Sequence, residues 1–171
     1  MGKDFYENSE AARSFFDQAQ KILDFDLKEM CFGEHEELNL TEYTQPCMVS
    51  VCLAIVQELK KRGINPDITA GLSLGEYAAV AAAGGMNELD AIKLVRRRGI
   101  LMQSTVPAGE GAMAAVLGLD AKKIEEILES FENVWIANYN CPGQIVITGL
   151  TNEVQQASLA LKEAGAKRVV E

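Results

Sequence analysis

Residues 67–85 read DITAGLSLGEYAAVAAAGG: a short β-type run, a serine between two glycines, then an alanine-rich helical run. Strand, tight turn and helix in that order predict an α/β fold, because the turn brings the helix back against the sheet. Gly71-Leu72-Ser73-Leu74-Gly75 fits the G-x-S-x-G spacing of a nucleophile elbow, whose sharp turn exposes the serine hydroxyl. Glycine is expected on both sides, where backbone and helix come too close for a Cβ. With 14 glycines in the chain, chance supplies about 0.05 such matches. The helix start also puts Ser73 and the Leu74 N–H in a positive field suited to an oxyanion. A glycine-rich βα turn with no chemistry fits the same letters.

Upstream of the elbow the periodicity is helical. Ala12, Phe15, Phe16, Ala19, Ile22 and Leu23 mark a helix from Ser9 to about Leu23, with Asn8 or Ser9 as N-cap. Residues 24–43 are acidic and irregular and read as a surface connection. Thr44 is expected to cap the next helix, with Pro46 in its first turn and Val49, Cys52, Leu53, Val56 and Leu59 as its buried stripe. Beyond the elbow, Asn87 caps a helix running to about Gln103. One strand among these helices cannot form a sheet, so the partners of DITAG are expected outside this chain.

At VPAGEG (106–111) the texture changes. Strand (112–118), helix (120–131), strand (133–139), strand (144–149), helix (151–164) and strand (167–170) follow, with NCPG turning between the middle strands. That βαββαβ order is the split-βαβ, ferredoxin-like arrangement, and it is complete. The expected organisation is therefore a partial α/β core over 1–108 and a ferredoxin-like subdomain over 109–171.

Composition narrows the function classes. The chain has 171 residues, 48% of them hydrophobic and 24% charged, with a net charge of −9. An acidic chain of this kind argues against a general nucleic-acid surface. The four cysteines form no CxxC pair and His35 is the only histidine, so no metal site is expected and reduced thiols in the cytoplasm are the reading. MGKDFYENSE is too polar for a signal peptide and has Tyr6 where a myristoylation signal needs Ser or Thr. The longest apolar stretch, CMVSVCLAIV, is about half of a ~20-residue membrane span.

Arg96-Arg97-Arg98 falls near the end of a helix. Arg96 and Arg97 read as a solvated face. Arg98 sits three, four or seven positions from Ala91, Leu94, Val95, Leu101 and Met102, within the apolar stripe. A guanidinium pointing inward must meet an anion. An internal Asp or Glu satisfies that need, and so does a substrate carboxylate gripped bidentately.

The segments GLSLGEYAAVAAAGG, AIKLVRRRGILMQSTVPAGEGAMAAVLGL, TQPCM and ANYNCPGQIVITG closely resemble the malonyl-CoA:acyl carrier protein transacylases, the acyltransferases of fatty-acid and polyketide synthesis. The resemblance covers nearly the whole chain. It implies an α/β-hydrolase-like core carrying a ferredoxin-like insert. It makes Ser73 the residue that carries the malonyl ester and the Leu74 N–H half of an oxyanion hole. Arg98, 25 positions after Ser73, becomes the anchor for the free carboxylate of malonyl. Gln45 of TQPCM and Asn138 and Asn140 of NYNCPGQ become substrate-binding residues, the two asparagines lining a cleft between lobes. As turn-formers before a hairpin the asparagines also need no function.

The implied activity is S-malonyl transfer from coenzyme A to the phosphopantetheine thiol of acyl carrier protein. The implied protein is a cytoplasmic monomer with no tightly bound cofactor. Departures from the family pattern bear on that activity. Leu72 stands where the family usually has His. The family's GQGxQ loop would precede this chain and its general-base histidine would follow it, so the expectation is a fragment, catalytically incomplete alone. His35 precedes Ser73 in an acidic loop and reads as a surface residue. Two other classes remain: a non-catalytic remnant that binds coenzyme A or carrier protein, and a serine ester hydrolase. Docking of an acidic carrier protein would need a basic face such as Lys60-Lys61-Arg62 or Lys167-Arg168.

Overall fold

Ser9 ends one helix and starts the next. Its N–H reaches Phe5 O at 2.9 Å to close α1 (Lys3–Asn8), and its Oγ accepts from Ala12 N at 3.1 Å to open α2 (Glu10–Ile22). The expected N-cap and helix therefore form as read. The computed structural model describes residues 1–107 and 109–171, and the chain divides into the units Met1–Thr105 and Val106–Glu171. Ala108, the last residue of the expected first domain, lies outside the described residues.

In the first unit, α3 (Leu27–Phe32) and a short 3₁₀ turn (Glu36–Asn39) lead to α4 (Thr41–Lys61); α5 (Gly75–Ala82) and α6 (Glu88–Thr105) follow. The core gathers Ala12, Phe15, Phe16 and Ala19 of α2, Cys47, Val49, Leu53 and Ala54 of α4, and Ala91, Ile92 and Val95 of α6. Asn87 accepts from Leu89 N at 2.9 Å and starts α6 as expected. Residues 24–43 are more than a surface connection, since Leu27 and Cys31 are fully buried in the same core. Burying one leucine contributes about 2 kcal/mol, which an acidic local composition does not cancel.

Two expectations fail around the elbow. DITAG forms no strand: residues 67–71 are bends and irregular backbone, and Ile68 is 89% exposed. Pleated backbone needs a hydrogen-bonded neighbour, and no described strand runs beside this segment. Likewise Cys52 and Leu59 of the expected buried stripe are exposed and line an apolar groove with Ile64, Ile68 and Gly71.

The second unit carries the sheet. β1 (Gly111–Leu117), α7 (Ala121–Leu128), β2 (Val134–Cys141), β3 (Gln144–Leu150), α8 (Thr151–Glu163) and β4 (Arg168–Val170) follow the predicted order. The strands lie β2-β3-β1-β4, every pair antiparallel. Alternation decides which face is buried. Ala114, Val116, Ile145, Ile147 and Val169 pack with Ile124 of α7 and Val154, Ala157 and Leu161 of α8. Met113 and Trp135, paired in register with Thr148, lie exposed on the strands between them. The domain is thus α/β, with a four-stranded antiparallel sheet.

Candidate active site

Ser73 has φ 54°, the one positive φ of any described non-glycine residue. The left-handed region is strained for a residue with a Cβ, and such strain clusters at functional sites. The turn holds because Gly75 N donates to Leu72 O at 2.9 Å and Glu76 N to Ser73 O at 3.2 Å, leading straight into α5. Glycine is obligatory at only one flank. A Cβ on Gly71 would stand 2.1 Å from the Gly75 carbonyl, whereas a Cβ on Gly75 meets nothing within 4 Å. The Ser73 side chain is exposed, as is Leu72 beside it. No hydrogen bond among the described residues engages the Leu74 N–H, which leaves it free to donate.

Arg98 supplies the partner of the serine. Its Nη2 donates to Ser73 Oγ at 3.0 Å and its Nη1 donates to Gln45 Oε1 at 2.5 Å. Among the described residues no carboxylate pairs with it. The internal-carboxylate alternative is therefore not the arrangement here. Gln45 is buried, and its Nε2 donates to Thr41 Oγ1 at 2.9 Å and Met102 Sδ at 3.3 Å. A neutral acceptor aims the guanidinium without cancelling its charge, so the cation keeps its attraction for an arriving anion. The expected position within the apolar stripe needs correction. Ala91 and Val95 are buried, but Leu94, Leu101 and Met102 are about half exposed, so Arg98 is half-buried at the stripe's edge.

Arg96 is not on a solvated face. Its side chain is 12% exposed and lies over the Phe25 and Tyr43 rings at 5.2 and 4.9 Å. Both guanidinium edges work: Nε and Nη2 grip the two Asp24 oxygens at 2.9 Å each, and Nη1 reaches Glu42 Oε2 at 3.0 Å and Glu42 O at 2.8 Å. Pro46 causes the last contact. α4 starts at Thr41, three residues before the expected Thr44 cap, so Pro46 falls inside the helix and Glu42 O loses its i+4 donor. Arg96 replaces it. The hydrogen bond from Arg96 holds the Asp24 carboxyl below its ordinary range, and Asp24 in turn raises Arg96. Arg97 is exposed as expected.

His35 pairs with Glu29 at 3.1 Å, and Ser73 Oγ has neither histidine nor carboxylate as a partner among the described residues. Asn138 and Asn140 belong to the other unit. They lie within β2, at irregularities of its pairing with β3, and not in the hairpin turn itself. Lys60, Lys61 and Arg62 offer no free basic face, each being paired with Glu88, Glu10 or Glu58.

An exposed serine on a glycine-closed elbow faces a charged arginine held by a neutral amide. The sequence matches the acyl transferase domain family over residues 1–171, and the chain belongs to that family. It is 46% identical over 175 residues to the malonyl CoA-acyl carrier protein transacylase of Bacillus subtilis (strain 168), covering 99% of this chain and 55% of that protein. The acyl-carrier-protein-S-malonyltransferase of Bartonella henselae superimposes with TM-score 0.92 at 40% identity, over 99% of this chain and 57% of that one. A malonyl-transacylase solved in complex with a type II PKS acyl-carrier protein, PlMCAT:AntF, gives TM-score 0.91 at 38% identity, with 99% and 57% covered. The chain thus spans about half the length of the relatives it matches. Among the described residues no helix is long and apolar enough to cross a membrane.

Proposed function

We propose that the chain is the nucleophile-bearing part of an acyl carrier protein S-malonyltransferase of fatty-acid synthesis. The observation that carries the reading is the Arg98 fork, 3.0 Å from Ser73 Oγ and without a carboxylate partner among the described residues. A short diacid thioester offers a carbonyl for the hydroxyl and a carboxylate for the guanidinium.

Ser73 Oγ attacks the malonyl thioester carbonyl and loses its proton to a base. The oxyanion takes the Leu74 N–H, and the carbon–sulfur bond breaks to release coenzyme A as the thiol, giving malonyl-Ser73. The phosphopantetheine thiol of acyl carrier protein then attacks that ester, and Ser73 leaves as the free hydroxyl. Both steps need a general base and acid. Ser73 Oγ has no histidine or carboxylate hydrogen-bond partner among the described residues, which supports the reading that another part of the intact protein supplies the base. Malonyl-CoA is a substrate, and no tightly bound cofactor is invoked. In this reading Asn138 and Asn140 bind substrate, and the protein works as a cytoplasmic monomer.

The same reading makes Met1–Thr105 part of an α/β-hydrolase-like core. The unpaired backbone at 67–71 and the exposed Ile68 support this, as a segment awaiting sheet partners. Val106–Glu171 is a ferredoxin-like subdomain, supported by its β2-β3-β1-β4 order.

The test is intact mass spectrometry of the protein expressed from its complete reading frame and incubated with malonyl-CoA. A malonyl adduct that maps to Ser73 and vanishes in Ser73→Ala supports transfer. Binding of malonyl-CoA with no adduct supports a binding remnant instead. Rapid turnover of neutral esters supports a hydrolase.

A further inference from the structure

Hydrogen bonds that leave α6 return to it. Gln103 Oε1 accepts from Thr41 N at 3.1 Å, Thr41 Oγ1 accepts from Gln45 Nε2 at 2.9 Å, and Gln45 Oε1 accepts from Arg98 Nη1 at 2.5 Å. The circuit closes because α4 and α6 touch backbone to backbone. A Cβ on Gly99 would stand 2.8 Å from Thr41 O and 2.7 Å from Glu42 Cα. Gly99 follows Arg98 directly, so the residue that orients Gln45 is pressed against the backbone that carries the guanidinium.

We propose that Thr41 is a positioning residue that, through Gln45, holds the Arg98 fork in place and so sets preference for acyl groups bearing a free carboxylate. This rests on the reading of Arg98 as the carboxylate anchor. Gln45 is 2% exposed, so both ends of its amide need protein partners. With the Thr41 hydroxyl present, the Nε2 end has a strong acceptor and the oxygen end is left for Arg98. Without it, Nε2 keeps only the Met102 sulfur, a weak acceptor. A buried amide in that position turns to find an oxygen, and its own oxygen then leaves the guanidinium. Arg98 keeps its charge and loses its direction. A misaimed fork weakens the grip on a carboxylate and leaves binding of the rest of the thioester unchanged. Gln45, engaged at both ends of its amide, acts through Arg98 in this arrangement.

The experiment measures dissociation constants of malonyl-CoA and acetyl-CoA by calorimetry on the protein expressed from its complete reading frame and on its variants. Wild type binds malonyl-CoA more tightly. Thr41→Val and Thr41→Ala each cut the malonyl-to-acetyl preference about 10-fold or more, the loss expected for one hydrogen bond to a charged group, with acetyl-CoA affinity unchanged. Thr41→Ser restores the preference, which a purely volumetric role of Thr41 does not predict. Arg98→Ala is the control and abolishes the preference. If Arg98→Ala does so while both Thr41 variants retain it, the Thr41 role is overturned and the anchor stands. If wild type shows no preference, or Arg98→Ala keeps it, the anchor reading fails and takes this inference with it. Loss of fold in both Thr41 variants assigns the residue to stability and also overturns the proposal.

Discussion

The Arg96 guanidinium donates to Glu42 O at 2.8 Å, the carbonyl that Pro46 leaves without an i+4 helical donor. One side chain of α6 thereby completes the hydrogen bonding of α4 and ties both helices to Asp24. Because Gln45 and Arg98 sit on these same two helices, the tie supports the geometry of the serine site as well as the core.

Arg96→Ala leaves Glu42 O, Glu42 and Asp24 without their donor and uncovers two aromatic rings. The expected loss is about 2–4 kcal/mol in urea unfolding. Arg96→Lys recovers only part of it, because a lysine cannot fork to two partners. A loss below about 0.5 kcal/mol for Arg96→Ala, the ordinary scale of a surface change, would contradict the keystone role.

The elbow glycines are expected to respond unequally. Gly71→Ala forces a methyl group to 2.1 Å from the Gly75 carbonyl and should cost about 2 kcal/mol or more. Gly75→Ala enters open space at the start of α5 and should be neutral or stabilising by up to about 1 kcal/mol. Thermal melts of the two variants decide the matter, and equal destabilisation would contradict the described turn.

Acid should destabilise the first unit through Asp24. Arg96 holds its carboxyl below the ordinary value of 3.8. A folded-state pKa below the unfolded one contributes stability above the ordinary carboxylate value, and that contribution is lost as pH falls through the folded pKa. Urea midpoints measured from neutral to acid pH should therefore fall steeply below the carboxylate range. Asp24→Asn should flatten part of that fall; an unchanged profile would show that Asp24 does not contribute.

Tyr139 Oη donates to Glu125 Oε1 at 2.6 Å, and that hydrogen bond raises the phenol above its ordinary value of 10.0. In absorbance titrations, Glu125→Gln should bring this phenol down toward the ordinary value, with Tyr139→Phe identifying its signal among the four tyrosines. No movement would place the tyrosine away from α7.

Periodicity and spacing carried much of this protein. The α2 helix and its Ser9 cap, the Asn87 cap and every element of the second unit follow from local pattern: alternation at two, recurrence near 3.6, and turn residues between. The elbow was legible because a glycine is sterically required at position 71. The position of Arg98 was legible only in part, since Ala91 and Val95 are buried but Leu94, Leu101 and Met102 are about half exposed.

Contacts distant in sequence decided the rest. Local letters could not show that Arg96 turns into a pocket of Phe25, Tyr43, Asp24 and Glu42, because its partners lie 54 and 72 positions away. Nor could they show that α4 begins at Thr41, where a side chain from Gln103 supplies the first acceptor. DITAG has the composition of a strand, but strand backbone forms only beside another strand. Whether Arg98 meets an internal carboxylate was decided by the packing of α6 on α4, which puts the neutral Gln45 beside it.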